Sequence, residues 1–264
     1  MTQAGRFLQA ILFISAWMAM GWLLHLDPYG YLLLGIPLCL VFQVCVRRQP
    51  LSSCWVRGST RFRLDLPGVL LALVFLAVPI WELTREWKGG SWPVRLYFVA
   101  GLFGAVGVAF AARRFTMASV RSLAICLATA GVLGCGWMLL ATMAQHHPVA
   151  LTQKRMLFGL GQFLVLLPVC FVMEEVAFRG VLDAHVHHSQ DARPWLSALL
   201  LSAMWGWWHL PIVPAQMIGV GLIAFPITHA VIGIPLSYSW RRGGNLLAPA
   251  IVHALIDAFR NALY

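Results

Sequence analysis

Glu174-Glu175-Val176-Ala177-Phe178-Arg179-Gly180 continues an apolar run from Met156 to Met173 that reads as a membrane-spanning helix. Ionisable side chains in hydrocarbon are costly unless paired or hydrated, so three of them at that depth point to a working polar site. Glu175 and Arg179 stand four apart with the glutamate first, the favourable order for a helical ion pair. Such a pair neutralises itself and braces neighbouring helices. Glu174 is turned about 100° away around the helix. It finds only Ala177 and Phe178 at the positions where a helical partner would stand. It therefore needs water, a proton or a partner from another helix, which makes it the candidate general base.

Two further groups extend this chemistry. Trp205 and His209 lie one helical turn apart in Trp205-Gly206-Trp207-Trp208-His209, and His253 and Asp257 lie four apart near the end of the chain. Each has a structural reading: a hydrogen-bonded packing histidine in the first case, a local His–Asp bond in the second. With a helical rise of about 1.5 Å per residue, Glu174 falls roughly 13 Å from one membrane face, His253 and Asp257 roughly 12 and 18 Å, and His209 roughly 21 Å. All are near the middle of a core about 30 Å thick, where they can converge on one cavity.

The elements that position them are helices in a bilayer. Of 264 residues, 60% are hydrophobic and 11% charged; soluble domains carry about 25% charged residues. Short alternating segments typical of barrel strands are lacking, so the expected class is an all-α, polytopic membrane bundle. Nine apolar runs offer themselves as spans: 7–26, 29–46, 66–83, 94–112, 122–144, 156–183, 195–210, 215–240 and 245–261. The second, seventh and ninth are short, so the expectation is eight to nine helices. Prolines 211, 214, 226 and 235 predict broken or kinked helices around the site. The first five runs have almost no mid-span charge. This divides the chain into a scaffold, 1–150, and a catalytic core, 151–264.

An excess of 19 Lys and Arg over 9 Asp and Glu raises nucleic acid as a partner, but these residues fall in short loops between apolar runs. Twelve lie on the side that holds the N-terminus and six on the other, which predicts a cytoplasmic N-terminus. No nucleic-acid partner is expected. The first run reads as a retained helix rather than a removed signal peptide. The six cysteines show no CxxC and no disulfide framework. His229, mid-span beside Thr228, reads as bonded to a local carbonyl or as a cavity wall. His185, His187 and His188 read as an exposed loop cluster, and Trp195, Trp205, Trp207 and Trp208 as membrane packing or a substrate groove.

Glu174-Glu175-x-x-x-Arg179, then Trp205-x-x-x-His209, then His253-x-x-x-Asp257, in that order over residues 155–261, resembles the CPBP family. That family comprises CaaX prenyl endopeptidase-like and bacteriocin-processing intramembrane proteases. The resemblance implies glutamate-dependent peptide hydrolysis without a cofactor. Glu174 and His209 would activate water, and His253 and Asp257 would stabilise the oxyanion, with Glu175, Arg179 and Trp205 in support. Two positions depart from the family pattern: Trp205 stands where Phe is frequent, and Asp257 where the prenyl endopeptidases have Asn. An ionised Asp cannot donate to an oxyanion, so Asp257 is either protonated or orients His253.

The implied partners are the bilayer and a membrane-associated peptide or protein, such as a prenylated tail, a bacteriocin leader or a C-terminal sorting tag. The implied location is a prokaryotic inner membrane. Three other readings remain open at this point. They are a zinc protease with Glu174, His209 and His253 as ligands, a non-catalytic scaffold or immunity protein, and a transporter with a Glu/His proton relay.

Overall fold

A computed structural model describes residues 2–144 and 152–263. The boundary expected near residue 150 lies outside them. Among the described residues there are nine helices and no strand, as the apolar runs predict. They are α1 (Gln3–Leu23), α2 (Pro28–Arg47), α3 (Leu66–Glu86), α4 (Trp92–Ala112), α5 (Met117–Ala144), α6 (Gln153–Val186), α7 (Pro194–Trp208), α8 (Ile218–Gly243) and α9 (Leu247–Leu263). The helix starts are written in side-chain oxygens. Asp27 Oδ1 accepts from Gly30 N–H at 2.7 Å, Asp65 Oδ1 from Gly68 N–H at 3.0 Å, and Thr152 Oγ1 from Arg155 N–H at 3.3 Å. Arg48 (φ 54°) and Gly244 (φ 62°) end α2 and α8 in the left-handed region.

Seven segments are long and apolar enough to cross a membrane. The remaining two, α7 with 15 residues and α9 with 17, are shorter than the about 20 residues of a full crossing. They pack inside the bundle instead, α7 against α8 and α9 against α6. α3 leaves Leu66, Leu70, Leu73 and Val74 mostly exposed, as a lipid-facing helix does.

The break that presents His209 is made by the prolines. Pro211 lies in the short 3₁₀ turn Leu210–Ile212 and Pro214 caps a second, Ala215–Met217, between α7 and α8, whereas Pro226 and Pro235 are inside α8. Pro226 has no N–H for the carbonyl of Leu222. The Trp207 indole N–H donates to that oxygen at 2.8 Å, so Trp207 repairs the helix, and its ring also lines an apolar cavity between α1, α7 and α8. Gly206 lets α7 and α8 meet, because a Cβ there would run into the Phe225 backbone.

The N-terminal helices hold the end of α7. Trp17, Tyr31 and Trp208 form one buried cluster with ring centroids 5.0–5.9 Å apart. Trp17 Nε1–H donates to the Tyr31 carbonyl at 2.9 Å, and the Tyr31 hydroxyl donates to the Trp208 carbonyl at 2.8 Å. His209 follows directly.

Trp207→Phe is expected to cost about 1 kcal/mol of stability in unfolding of the purified chain. Pro226→Ala, which restores a backbone donor to Leu222, should recover that loss in the double variant. An equal cost with and without Pro226 contradicts the repair.

Candidate active site

The thirteen residues Phe171–Asp183 continue α6 as a π-helix, a wider winding with i→i+5 bonds that recurs at functional sites. It carries the whole first motif. Glu175 is fully buried, and its Oε1 accepts from Arg179 Nη1 at 3.0 Å, the ion pair the spacing predicts. The same oxygen lies 2.8 Å from Nδ1 of His253 on α9, a contact the spacing does not reveal. A carboxylate that already accepts from a guanidinium takes this bond as an acceptor too, so Nδ1 carries the proton. The guanidinium lies 4.3 Å from the centre of the Trp205 ring. Gly233 on α8 leaves it room, since a Cβ there would stand 3.0 Å from Arg179 Nη2.

With Nδ1 engaged, His253 turns Nε2 towards the other two carboxylates. Nε2 is 3.6 Å from Asp257 Oδ2 and 4.0 Å from Glu174 Oε2. The local His253–Asp257 hydrogen bond suggested by the four-residue spacing is therefore not made: the two face each other slightly too far apart. Asp257 Oδ1 instead takes the Arg260 guanidinium at 3.1 Å. That partner suits an ionised carboxylate, which makes His253 the better oxyanion donor of the two.

Glu174, which has no partner on its own helix, finds one on α7. Trp205 Nε1–H donates to Glu174 Oε2 at 2.9 Å. Trp205 is thus more than a wall, and phenylalanine at this position could not make the bond. Trp205 O in turn lies 2.8 Å from His209 Nδ1. A carbonyl only accepts, so Nδ1 is the protonated nitrogen and Nε2 keeps its lone pair. His229 bonds the Phe225 carbonyl through Nδ1 at 2.8 Å, and its ring lies 4.5 Å from that of His209, tilted by 37°. It is a carbonyl-bonded histidine and a cavity wall at once.

Glu174, Trp205, His209, His229, His253 and Asp257 all line one cavity of about 340 Å³. The four proposed catalytic residues thus come together from α6, the end of α7, and α9. Leu32, Tyr97 and Met138 complete the walls from the N-terminal half. Neither their spacing nor that of Arg260, which also lines the cavity, marks them in the sequence; a phenol in the apolar run of α4 is the one available signal. His185, expected in an exposed loop, is buried in the last turn of α6, where Nε2 meets Gln9 Oε1 at 2.9 Å. α1 covers this turn, and α1 is distant in sequence.

As metal donors, the side-chain atoms that converge among the described residues are those of Cys170, His253 and Asp257, within 4.8 Å of one another. Glu174, His209 and His253 do not form such a group. All six cysteines are free.

Glu175→Gln leaves the buried guanidinium without its carboxylate and is expected to destabilise the chain by about 3 kcal/mol. Replacing Arg179 as well, Glu175→Gln with Arg179→Met, should be less damaging than Glu175→Gln alone. Thermal unfolding of the three variants tests this, and additive losses contradict the pairing.

The comparisons with known proteins agree with the motifs. Residues 156–259 match the family model of the type II CAAX prenyl endopeptidases, Rce1-like. No curated protein and no solved structure matches the chain. The segment that carries all three motifs is thus similar to the Rce1-like endopeptidases of the CPBP family, and it is set in a multi-pass membrane bundle.

Proposed function

We propose that this protein is an intramembrane glutamic endopeptidase that cleaves a peptide or protein at the membrane. The observation that carries the reading is the single cavity shared by Glu174, His209, His253 and Asp257. A water there gives one proton to Glu174 and hydrogen-bonds through the other to the His209 Nε2 lone pair. Its oxygen attacks the scissile carbonyl carbon, and the carbonyl electron pair moves onto oxygen. His253, doubly protonated among three carboxylates, donates a hydrogen bond from Nε2–H to that oxyanion. Collapse of the tetrahedral adduct breaks the C–N bond, and Glu174 returns its proton to the leaving amine.

Asp257 acts by orienting His253 and holding a negative charge beside Nε2. Trp205 fixes Oε2 of Glu174, which leaves the other oxygen to face the water. Glu175 and Arg179 hold α6 and α9 in register. This chemistry uses side chains alone and calls for no metal. The N-terminal five helices serve as scaffold; the arginine bias favours a cytoplasmic N-terminus, and the compact chain suits a prokaryotic inner membrane.

Terminal-peptide proteomics of cells carrying the wild type or Glu174→Gln tests the proposal. New protein termini present only with the wild type are the expected result and name the substrate. Trp205→Phe should slow turnover of that substrate by roughly 100-fold, mostly in kcat. Identical termini in both strains, with biological function intact in Glu174→Gln, favour a non-catalytic binding protein.

A further inference from the structure

Ten residues beyond Glu174 on α6, a second polar cavity of about 290 Å³ opens among Arg47, Ser53, Arg57, His187, His188 and Trp240. No carboxylate lines it. Asp183, the nearest acid in sequence, is fully buried and held by Arg241, with Nε at 3.0 Å and Nη2 at 2.5 Å.

The two guanidinium groups of the cavity bond only neutral acceptors. Arg47 donates to Gln43 Oε1 at 2.7 Å, to the Gly180 carbonyl at 2.8 Å and to the Ala184 carbonyl at 3.4 Å. Arg57 donates to the Arg241 carbonyl at 3.2 Å and lies 5.2 Å from the centre of the Trp240 ring. Neither forms an ion pair among the described residues. Two more ring nitrogens in residues of this wall, Trp240 Nε1 and His187 Nδ1, are buried without a hydrogen bond, the second with Asp191 Oδ2 4.0 Å away. Burial holds both Arg57 and His187 below their ordinary pKa values, with the nearby Asp183 opposing that shift and Arg241 adding to it.

The position of the cavity identifies the anion. Arg47 is the last residue of α2, Ala184 stands in the last turn of α6, and Trp240 in the last turn of α8. Three spans end at this level, so the cavity sits at the depth of lipid headgroups. The residues flanking it in sequence, Val44, Val46 and Leu51, are 52%, 41% and 48% exposed, an apolar surface fit for an acyl chain. Basic pockets between helices at a membrane surface suit anionic headgroups, and a phosphate offers the oxygens that guanidinium forks grip in pairs.

We propose that this cavity is a binding site for the phosphate of an anionic phospholipid, gripped between Arg47 and Arg57. Occupancy places one negative charge between the two guanidinium groups and so offsets half of their charge. It also ties the 47–60 segment to the helix that carries Glu174, because Arg47 already bonds the Gly180 and Ala184 carbonyls of that helix.

The test uses the full chain in phosphatidylcholine nanodiscs with phosphatidylglycerol or inorganic phosphate added. Thermal unfolding and native mass spectrometry of retained lipid are the readouts. Phosphatidylglycerol should raise the unfolding midpoint by roughly 5 °C and remain bound. Arg57→Glu should lose both effects and Arg57→Gln most of them, whereas Arg61→Glu, which removes a basic residue outside the cavity, should lose neither. Equal stabilisation by inorganic phosphate overturns the lipid as ligand. Undiminished phosphatidylglycerol retention by Arg57→Glu and Arg57→Gln overturns the site.

Discussion

Glu175 is a carboxylate with no exposed surface, and one of its oxygens joins the Arg179 guanidinium on its own helix to the imidazole of His253 on another. A lone charge in that position would be intolerable in a low-dielectric core, and so would the guanidinium without it. The interaction satisfies two groups and also determines which nitrogen of His253 meets the catalytic cavity. It leaves Glu174, one residue earlier, free of any helical partner. A difference between the adjacent glutamates follows from this: Glu175 joins two helices, and Glu174 lines the cavity, where the proposed chemistry needs a base.

The rest of the bundle serves to hold His209 and Trp205 opposite that pair. α7 stops short of a full crossing, and its C-terminal end is fixed from the N-terminal half through Tyr31 and Trp17. Trp205 then makes several contacts from one side chain. Its indole N–H meets Glu174, its face receives Arg179, and its backbone carbonyl sets the tautomer of His209. α8 lies close enough to α7 for this only because Gly206 and Gly233 lack side chains. The preorganisation that general-base chemistry needs is thus supplied by helix packing rather than by loops.

Much of this was legible from residue type and spacing. Charges in apolar runs marked the spans that work, and the four-residue separation of Glu175 and Arg179 announced their pair. The absence of a partner at the helical positions near Glu174 left water, a proton or a partner from another helix, and the partner is a donor on α7. The identity of that donor was not legible, because contacts between helices depend on rotation and depth that periodicity does not encode. For the same reason Trp205 read as a wall, His253 seemed paired to Asp257 rather than Glu175, and the contributions of Leu32 and Tyr97 were invisible. His185 misled because its neighbours His187 and His188 do lie in a loop, while α1 folds over the last turn of α6. The positive cavity near Arg47 was hidden in arginines that orientation rules already explained.

The account rests on Glu174 and His209 holding a water within reach of His253. A high-resolution experimental structure of the protein in a lipid environment, with anomalous data at the zinc edge, examines this directly. The expected result is an ordered water within hydrogen-bonding distance of a Glu174 carboxylate oxygen and His209 Nε2, with His253 Nδ1 bonded to Glu175. An anomalous peak coordinated by His253, or a Glu174 carboxylate turned away from His209 into a separate packing environment, contradicts it.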